Sequence, residues 1–203
     1  MSDITDNILA KASQLMERYG ISSVTMDDIA KECHISKRTL YEQIPDKRTL
    51  VWNCILFHRK RKQEEAIKLV NKAESTLDAL LRIYRNARKG LTNSSSIFFK
   101  DLHRLYPELE KKCREIHSEQ SKSFGEYLTR GVNEGMFRSD IDFELAAKIF
   151  MAQSNAIMKE ISTSNEPQII AKTMTTAFII FLRGIATQKG LEIIDNFFKE
   201  NNI

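Results

Sequence analysis

Seven glycines and three prolines in 203 residues leave this chain few places to end a helix. They fall at Gly20, Pro45, Gly90, Pro107, Gly125, Gly131, Gly135, Pro167, Gly184 and Gly190. Between them, apolar residues recur with a period near 3.6. No stretch alternates with the period of two that a strand needs, and no internal repeat is visible. The usual shares are about 7% Gly and about 5% Pro. A β-sandwich, a collagen-like rod or a disordered linker would need more of both. The sequence therefore predicts an all-α fold of about nine to ten helices.

Composition narrows the classes further. Hydrophobic residues make up 42% and charged residues 29%, a balance that supports a globular core rather than disorder. The longest apolar run, Ala177 to Leu182, is far short of the roughly 20 residues that span a bilayer. Met1-Ser2-Asp3-Ile4 shows neither the basic nor the apolar region of a signal peptide, so a cytoplasmic location is expected. Three widely spaced cysteines, Cys33, Cys54 and Cys113, argue for reduced thiols rather than a disulfide framework. The net charge of +4 permits nucleic-acid binding without indicating it.

The first helix places Ile8, Ala12, Leu15, Met16 and Tyr19 on one face, and Gly20 can close it in the left-handed conformation. Thr25 with Asp28 three residues later reads as a capping box with Asp in place of Glu. A short helix follows, to about Cys33. After His34-Ile35 a third helix, capped by Ser36, ends before Pro45. The fourth helix starts near Asp46. A fifth runs from Ser75 to Gly90, and a sixth covers Ile97 to Tyr106. A seventh starts at Pro107 and carries one apolar stripe to Val132. The eighth starts near Asp142. The ninth opens with Asn165-Glu166-Pro167, and a tail helix covers Leu191 to Lys199.

The informative stretch is Thr25 to Lys47. Two short helices joined by a turn of about three residues, the second with a polar, basic outer face, form a helix-turn-helix. Ile29, Ile35 and Leu40 pin the pair to the first helix, and Ala30 allows a close crossing. The outer face reads Ser36-Lys37-Arg38-Thr39, then Tyr41-Glu42-Gln43. Lys and Arg neutralise phosphates and release counterions. Ser, Thr and Tyr hydroxyls donate to phosphate oxygens. Arg can fork onto guanine and Gln onto adenine. Lys47, just inside the fourth helix, can share a phosphate with the free N–H groups there.

Thr25-Met26-Asp27-Asp28-Ile29-Ala30, Ile35-Ser36-Lys37-Arg38-Thr39-Leu40-Tyr41 and Asp46-Lys47 together resemble the DNA-binding domain of the tetracycline-repressor (TetR) family. The resemblance covers about residues 8 to 55. Gly135-Met136-Phe137-Arg138, followed by Asp140, Asp142 and Glu144-Leu145-Ala146-Ala147, is similar to a stretch common later in such chains. Two positions depart from the family pattern. His34 stands where the turn usually has Gly, and Gln43-Ile44 replaces a polar–Phe pair. The resemblance implies phosphate contacts from Thr25, Lys37, Thr39, Tyr41 and Lys47. Ser36 is a further DNA-binding candidate. Arg38 and Gln43 are the candidates for base edges.

Other features have plainer readings beside the functional ones. His58-Arg59-Lys60-Arg61-Lys62 reads as a solvated face, because it lies roughly 16 to 22 Å beyond Lys47 at 1.5 Å per residue. Cys113 and His117 share a helix face but lack the clustering of a metal site, so no metal and no cofactor is expected. Phe98, Phe99, His103, Phe124, Tyr127, Met151, Ser154, Asn155 and Met158 are candidate effector-pocket residues, although stripes at helical spacing are usually core.

Ala146, Ala147, Ala152, Ala156, Ala171, Ala177 and Gly184 allow close helix approach in the eighth and ninth helices. Together with the resemblance, they point to a homodimer through those helices. Residues 1–47 are expected to bind operator double-stranded DNA, and 48–203 to bind a small-molecule effector and dimerise. The resulting expectation is a transcriptional regulator, most often a repressor, with no enzymatic activity and no membrane partner. The alternative is a helix-turn-helix factor without a small-molecule inducer, regulated by a partner or architectural in role.

Bulk charge does not favour binding. Residues 1–57 hold seven basic against eight acidic side chains, while residues 31–48 hold five against three. Any affinity for DNA must come from where the cations sit.

Overall fold

The computed structural model describes residues 3–93, 96–163 and 167–201. Among these, eleven helices follow one another: α1 (Asp3–Tyr19), α2 (Met26–Glu32), α3 (Lys37–Gln43), α4 (Lys47–Asn71), α5 (Thr76–Asn93), α6 (Ser96–Leu105), α7 (Pro107–Glu119), α8 (Ser121–Asn133), α9 (Phe143–Thr163), α10 (Pro167–Ile185) and α11 (Gln188–Glu200). The fold is all-α. The segmentation exceeds the predicted nine to ten because the seventh predicted helix is two, α7 and α8, parted at Gln120. No glycine or proline marks that break, and the apolar stripe runs through it. The Asn165-Glu166 start of the ninth predicted helix, and the side chains of Met158 and Ala171, lie outside the described residues.

The chain divides into two compact units. The first comprises Met1–Glu65 with Ser94–Lys111, and the second Ala66–Asn93 with Lys112–Ile203. The expected DNA-binding segment 1–47 lies within the first unit, which also takes in the start of α4, α6 and the opening of α7.

The first unit closes around α1. Ile8, Leu9, Ala12 and Met16 are buried against Ile29 and Ala30 of α2, Leu40 of α3, and Leu50, Val51 and Cys54 of α4. Leu102 of α6 and Leu109 of α7 complete the same core. The Cys54 thiol donates to the Leu9 carbonyl, and burial pushes its pKa up to about 11, so it stays a neutral packing group.

The second unit is built around aromatic rings. Tyr84 of α5 stacks on Phe178 of α10, with centroids 4.5 Å apart and planes 7° from parallel. The Tyr84 hydroxyl donates to Thr175 Oγ1 at 2.9 Å, so its polar end is satisfied. Phe150 of α9 meets Phe181 of α10 at 4.5 Å. The α8–α9 connection is clamped to the α10–α11 connection by hydrogen bonds from Arg138 N to the Ile185 carbonyl (2.9 Å) and from Thr187 N to the Met136 carbonyl (3.0 Å). Gly131 is needed there, because a Cβ at that position would lie 2.3 Å from the buried Phe137 ring.

Two helices end in the same way on different residues. After α8, Gly135 N–H donates to the Val132 carbonyl and Met136 N–H to the Gly131 carbonyl, with Gly135 at φ +71°. After α2, His34 N–H donates to the Lys31 carbonyl and Ile35 N–H to the Ala30 carbonyl, with His34 at φ +55°. Both are Schellman motifs, whose bonds satisfy the last carbonyls of the helix. At Gly135 the left-handed backbone costs no steric energy. At His34 the same backbone crowds a Cβ. His34→Gly is therefore expected to be as stable as the parent or more stable, by up to about 1 kcal/mol. His34→Val should cost about 1–2 kcal/mol. Urea unfolding of both variants tests this, and a destabilised His34→Gly refutes it.

Candidate nucleic-acid interface

The interface is set up by caps before any side chain reaches outward. Thr25 Oγ1 accepts from Asp28 N at 3.1 Å, while Asp28 Oδ2 accepts from Thr25 N at 2.9 Å and from Thr25 Oγ1 at 2.6 Å. The predicted capping box is thus complete. These bonds hold the Asp28 carboxyl below its ordinary range. Ser36 Oγ accepts from Thr39 N at 3.0 Å, and the two hydroxyls lie 2.8 Å apart. Asp46 Oδ1 accepts from Thr49 N at 2.7 Å and starts α4. Lys11 Nζ donates to the Glu32 carbonyl at 2.5 Å, satisfying a carbonyl at the end of α2. Ile44, fully buried, ends α3 and anchors it.

Most of the outer face is already paired within the chain. Lys37 Nζ lies 2.7 Å from Asp27 Oδ1, which raises the pKa of the lysine. Arg38 Nε donates to Glu42 Oε1 at 2.9 Å. Gln43 Oε1 accepts from Thr5 Oγ1 of α1 at 3.1 Å. The Tyr41 ring is exposed, and Thr39 is half-buried. Lys47 is half-buried at the start of α4. Desolvation lowers its pKa, while the carboxylates of Asp101 and Asp28 pull it back up. Both N–H and O–H of Thr25 are committed to Asp28, so a phosphate contact through Thr25 has to displace that carboxylate. Likewise, a two-point reading of adenine by Gln43 has to share its carbonyl oxygen with Thr5.

Thr25, Ser36, Lys37, Arg38, Thr39, Tyr41, Gln43 and Lys47 all fall on the short helix pair or its flanks, within the first unit. The candidate effector residues divide between the units. Phe98 and Phe99, edge to face at 5.5 Å, and His103, whose Nδ1 lies 2.9 Å from Glu110 Oε2, belong to the first. Phe124, Tyr127, Met151, Ser154 and Asn155 belong to the second. There Phe124 touches Phe150 and Phe181, and the Arg130 guanidinium lies over the Tyr127 ring at 5.6 Å. Asn155 Oδ1 accepts from His117 Nδ1 at 2.9 Å, and Asn155 Nδ2 donates to Ser118 Oγ at 3.0 Å. His117 is thus oriented toward an amide rather than toward Cys113. Among the described residues, no three His, Cys, Asp or Glu side chains are grouped to hold a metal ion. No described helix is long and apolar enough to cross a membrane.

Four supporting residues were not singled out from the sequence: Thr5, Asp27, Glu42 and Asp101. Glu42 was legible as the i+4 partner of Arg38. Asp101 was legible only as the i+3 partner of Arg104; its other partner, Ser22, stands 79 residues away. Its carboxylate is buried in α6, where Oδ2 accepts from Ser22 N at 2.7 Å and Oδ1 from Arg104 Nη2 at 2.9 Å. Gly20, at φ +85°, fits beside it; a Cβ there would lie 2.7 Å from Asp101 Oδ2. Asp101 therefore shapes the turn between α1 and α2.

Two capped short helices pinned to a third, with the second showing a polar face, define a helix-turn-helix. Residues 8–52 match the family described as bacterial regulatory proteins, tetR family. That stretch, which spans the helix-turn-helix, is thus similar to the DNA-binding domain of TetR-family regulators. The whole fold recurs in solved structures. A transcriptional regulator from Cytophaga hutchinsonii superposes with a TM-score of 0.71 at 20% identity, over 89% of this chain and 97% of that one. A TetR-family regulator from Agrobacterium tumefaciens gives 0.66 at 19%, over 91% and 98%. A Saccharomonospora viridis protein solved in complex with choline gives 0.68 at 16%, over 93% and 100%. No curated protein matches the chain at the sequence level.

Asp101 also makes stability depend on pH. Burial raises its pKa, but the bonds from Ser22 and the Arg104 guanidinium outweigh burial and hold it below the usual value. A depressed carboxylate stabilises the fold above its unfolded pKa of about 3.9 and loses that contribution as pH falls through the folded value. Asp101→Ala should therefore cost about 1.5–3 kcal/mol at pH 7. Its deficit against the parent should narrow progressively below about pH 4. Denaturant titrations at several pH values measure both, and a deficit that does not change with pH rules the account out.

Proposed function

We propose that the protein is a dimeric, sequence-specific repressor whose operator binding is released by a small-molecule effector, acting in the cytoplasm. The observation that carries the DNA-binding part is the capped helix pair of Thr25 to Lys47. Its outer face presents Lys37, Arg38, Tyr41 and Gln43 around a fully buried Leu40. In this reading Thr25, Ser36, Lys37, Thr39, Tyr41 and Lys47 hold phosphates, and Arg38 and Gln43 read base edges.

A dimer is supported by apolar residues left facing solvent. On α9, Leu145, Ile149, Ala152 and Ala156 recur at helical spacing, and Ile149 is 68% exposed. On α10, Ile169 and Ile180 are exposed on a face shared with Thr173 and Thr176, with Ile180 63% exposed. Such stripes favour burial against another copy. A two-fold dimer also presents two recognition helices to two half-sites roughly 34 Å apart. On this reading the effector binds in the second unit, near Phe124, Tyr127, Met151, Ser154 and Asn155, an aromatic and polar mixture suited to a small organic ligand. The choline bound by the Saccharomonospora viridis protein supports such a ligand for this fold. Binding there would favour one arrangement of the regulator over another and so change the spacing of the recognition helices.

Two measurements test the reading. On operator DNA, Tyr41→Phe with Lys47→Ala should weaken binding. It should also make the slope of log affinity against log salt shallower by about 0.9 for each phosphate that is no longer neutralised. Unchanged affinity and slope would sink the phosphate assignment. Ile149→Glu should convert a dimer seen by sedimentation at micromolar concentration into a monomer and lower operator affinity with it. A parent that sediments as a monomer refutes the dimer.

A further inference from the structure

We infer that Arg38 reads a guanine in the operator half-site, and that Glu42 is the positioning residue that holds its guanidinium for that task. This rests on the proposed sequence-specific DNA binding. Arg38 is the second residue of α3, in the part of a recognition helix that reaches base edges in helix-turn-helix proteins. Its side chain is 89% exposed, so nothing in the chain buries it. Its Nε is nevertheless engaged, donating to Glu42 Oε1 at 2.9 Å one turn along. A guanidinium held by Nε keeps its two terminal amino groups side by side on the opposite edge. That edge is the fork that matches guanine O6 and N7.

Shape separates this role from a point-charge contact to phosphate. Arg38 and Glu42 form a pair with no net charge, and Glu42 lies on the same exposed face. A phosphate approaching Arg38 meets the Glu42 carboxylate, much as one approaching Lys37 meets Asp27, so what sets Arg38 apart is its planar fork. A guanine edge is uncharged and offers two acceptors, so it uses the fork without opposing the carboxylate. The neighbouring side chains differ. Lys37 offers a point charge beside Asp27, and Gln43 has its carbonyl oxygen bonded to Thr5. Of the polar side chains on this face, Arg38 alone among the described residues offers a planar two-point donor.

The test is selection of binding sites from a randomised double-stranded DNA library by the full-length protein. It is followed by affinity measurements on the selected site and on single-base variants. The parent should select a guanine at one position of each half-site and discriminate against the other bases there by roughly 5- to 150-fold. Arg38→Ala should remove the discrimination at that position and leave the others. Glu42→Ala should reduce it at the same position. Glu42→Gln, whose amide oxygen can still accept from Nε, should retain most of it. All three substitutions lie on an exposed face, and unchanged thermal unfolding shows that the fold is kept. A selected motif unaltered by Arg38→Ala overturns the inference alone. So does a drop in affinity on all sequences equally, which marks a phosphate contact. If Glu42→Ala tightens binding to every sequence equally, Glu42 merely repels DNA, and its positioning role fails. If the parent selects no motif, sequence-specific binding itself fails and the inference goes with it.

Discussion

A helix of seven residues does not hold itself together in water, where isolated helices shorter than about 12–15 residues are marginal. Both α2 and α3 are that short. Their existence depends on burial of Ile29, Leu40 and Ile44, each wholly removed from solvent against α1 and the start of α4. Removing a buried side chain of this size from water is worth about 1.5–3 kcal/mol. Caps then decide where each helix begins and ends. Thr25 and Ser36 fix the starts, and the left-handed His34 fixes the end of α2. The outer face is free to be polar because the inner face carries the stability.

This arrangement explains how a head with more acidic than basic residues can still present cations. Asp27, Asp28, Glu42 and Asp46 are each engaged. Asp27 bonds Lys37, Glu42 bonds Arg38, and Asp28 and Asp46 bond backbone N–H groups at helix starts. Carboxylates used as caps sit where helix dipoles favour negative charge. Those paired with Lys37 and Arg38 restrict where the cations point. The exposed pairs add little to stability. Their effect is on orientation.

How much was legible follows from where the determining interactions lie along the chain. Caps act over three residues, so Thr25–Asp28, Ser36–Thr39 and Asp142–Leu145 could be read directly, and each forms. The helix-turn-helix was legible because local signals and apolar period agree there. The break at Gln120 was not, because it lacks a breaker residue and a side-chain cap. The effector candidates were drawn from composition. They divide between the two units because an aromatic stripe at helical period says that a face is buried, not which core receives it. Asp101 showed only its i+3 pairing with Arg104; its bond from Ser22 N–H was invisible, because a backbone group leaves no mark on sequence.

The first unit is assembled from two separate stretches of the chain, and α6 comes from the second of them. The chain leaves that unit after Glu65, returns at Ser94 and leaves again after Lys111. The first and last of these crossings fall inside α4 and α7, both uninterrupted helices. A loop absorbs displacement by changing a few soft dihedrals. A helix has each turn closed by hydrogen bonds and carries displacement along its axis. Lys47 and the residues from Ala66 to Asn71 are therefore parts of one continuous helix. The Asp101 bond to the α1–α2 turn then gives the returning segment a hold on the helix-turn-helix from a second side.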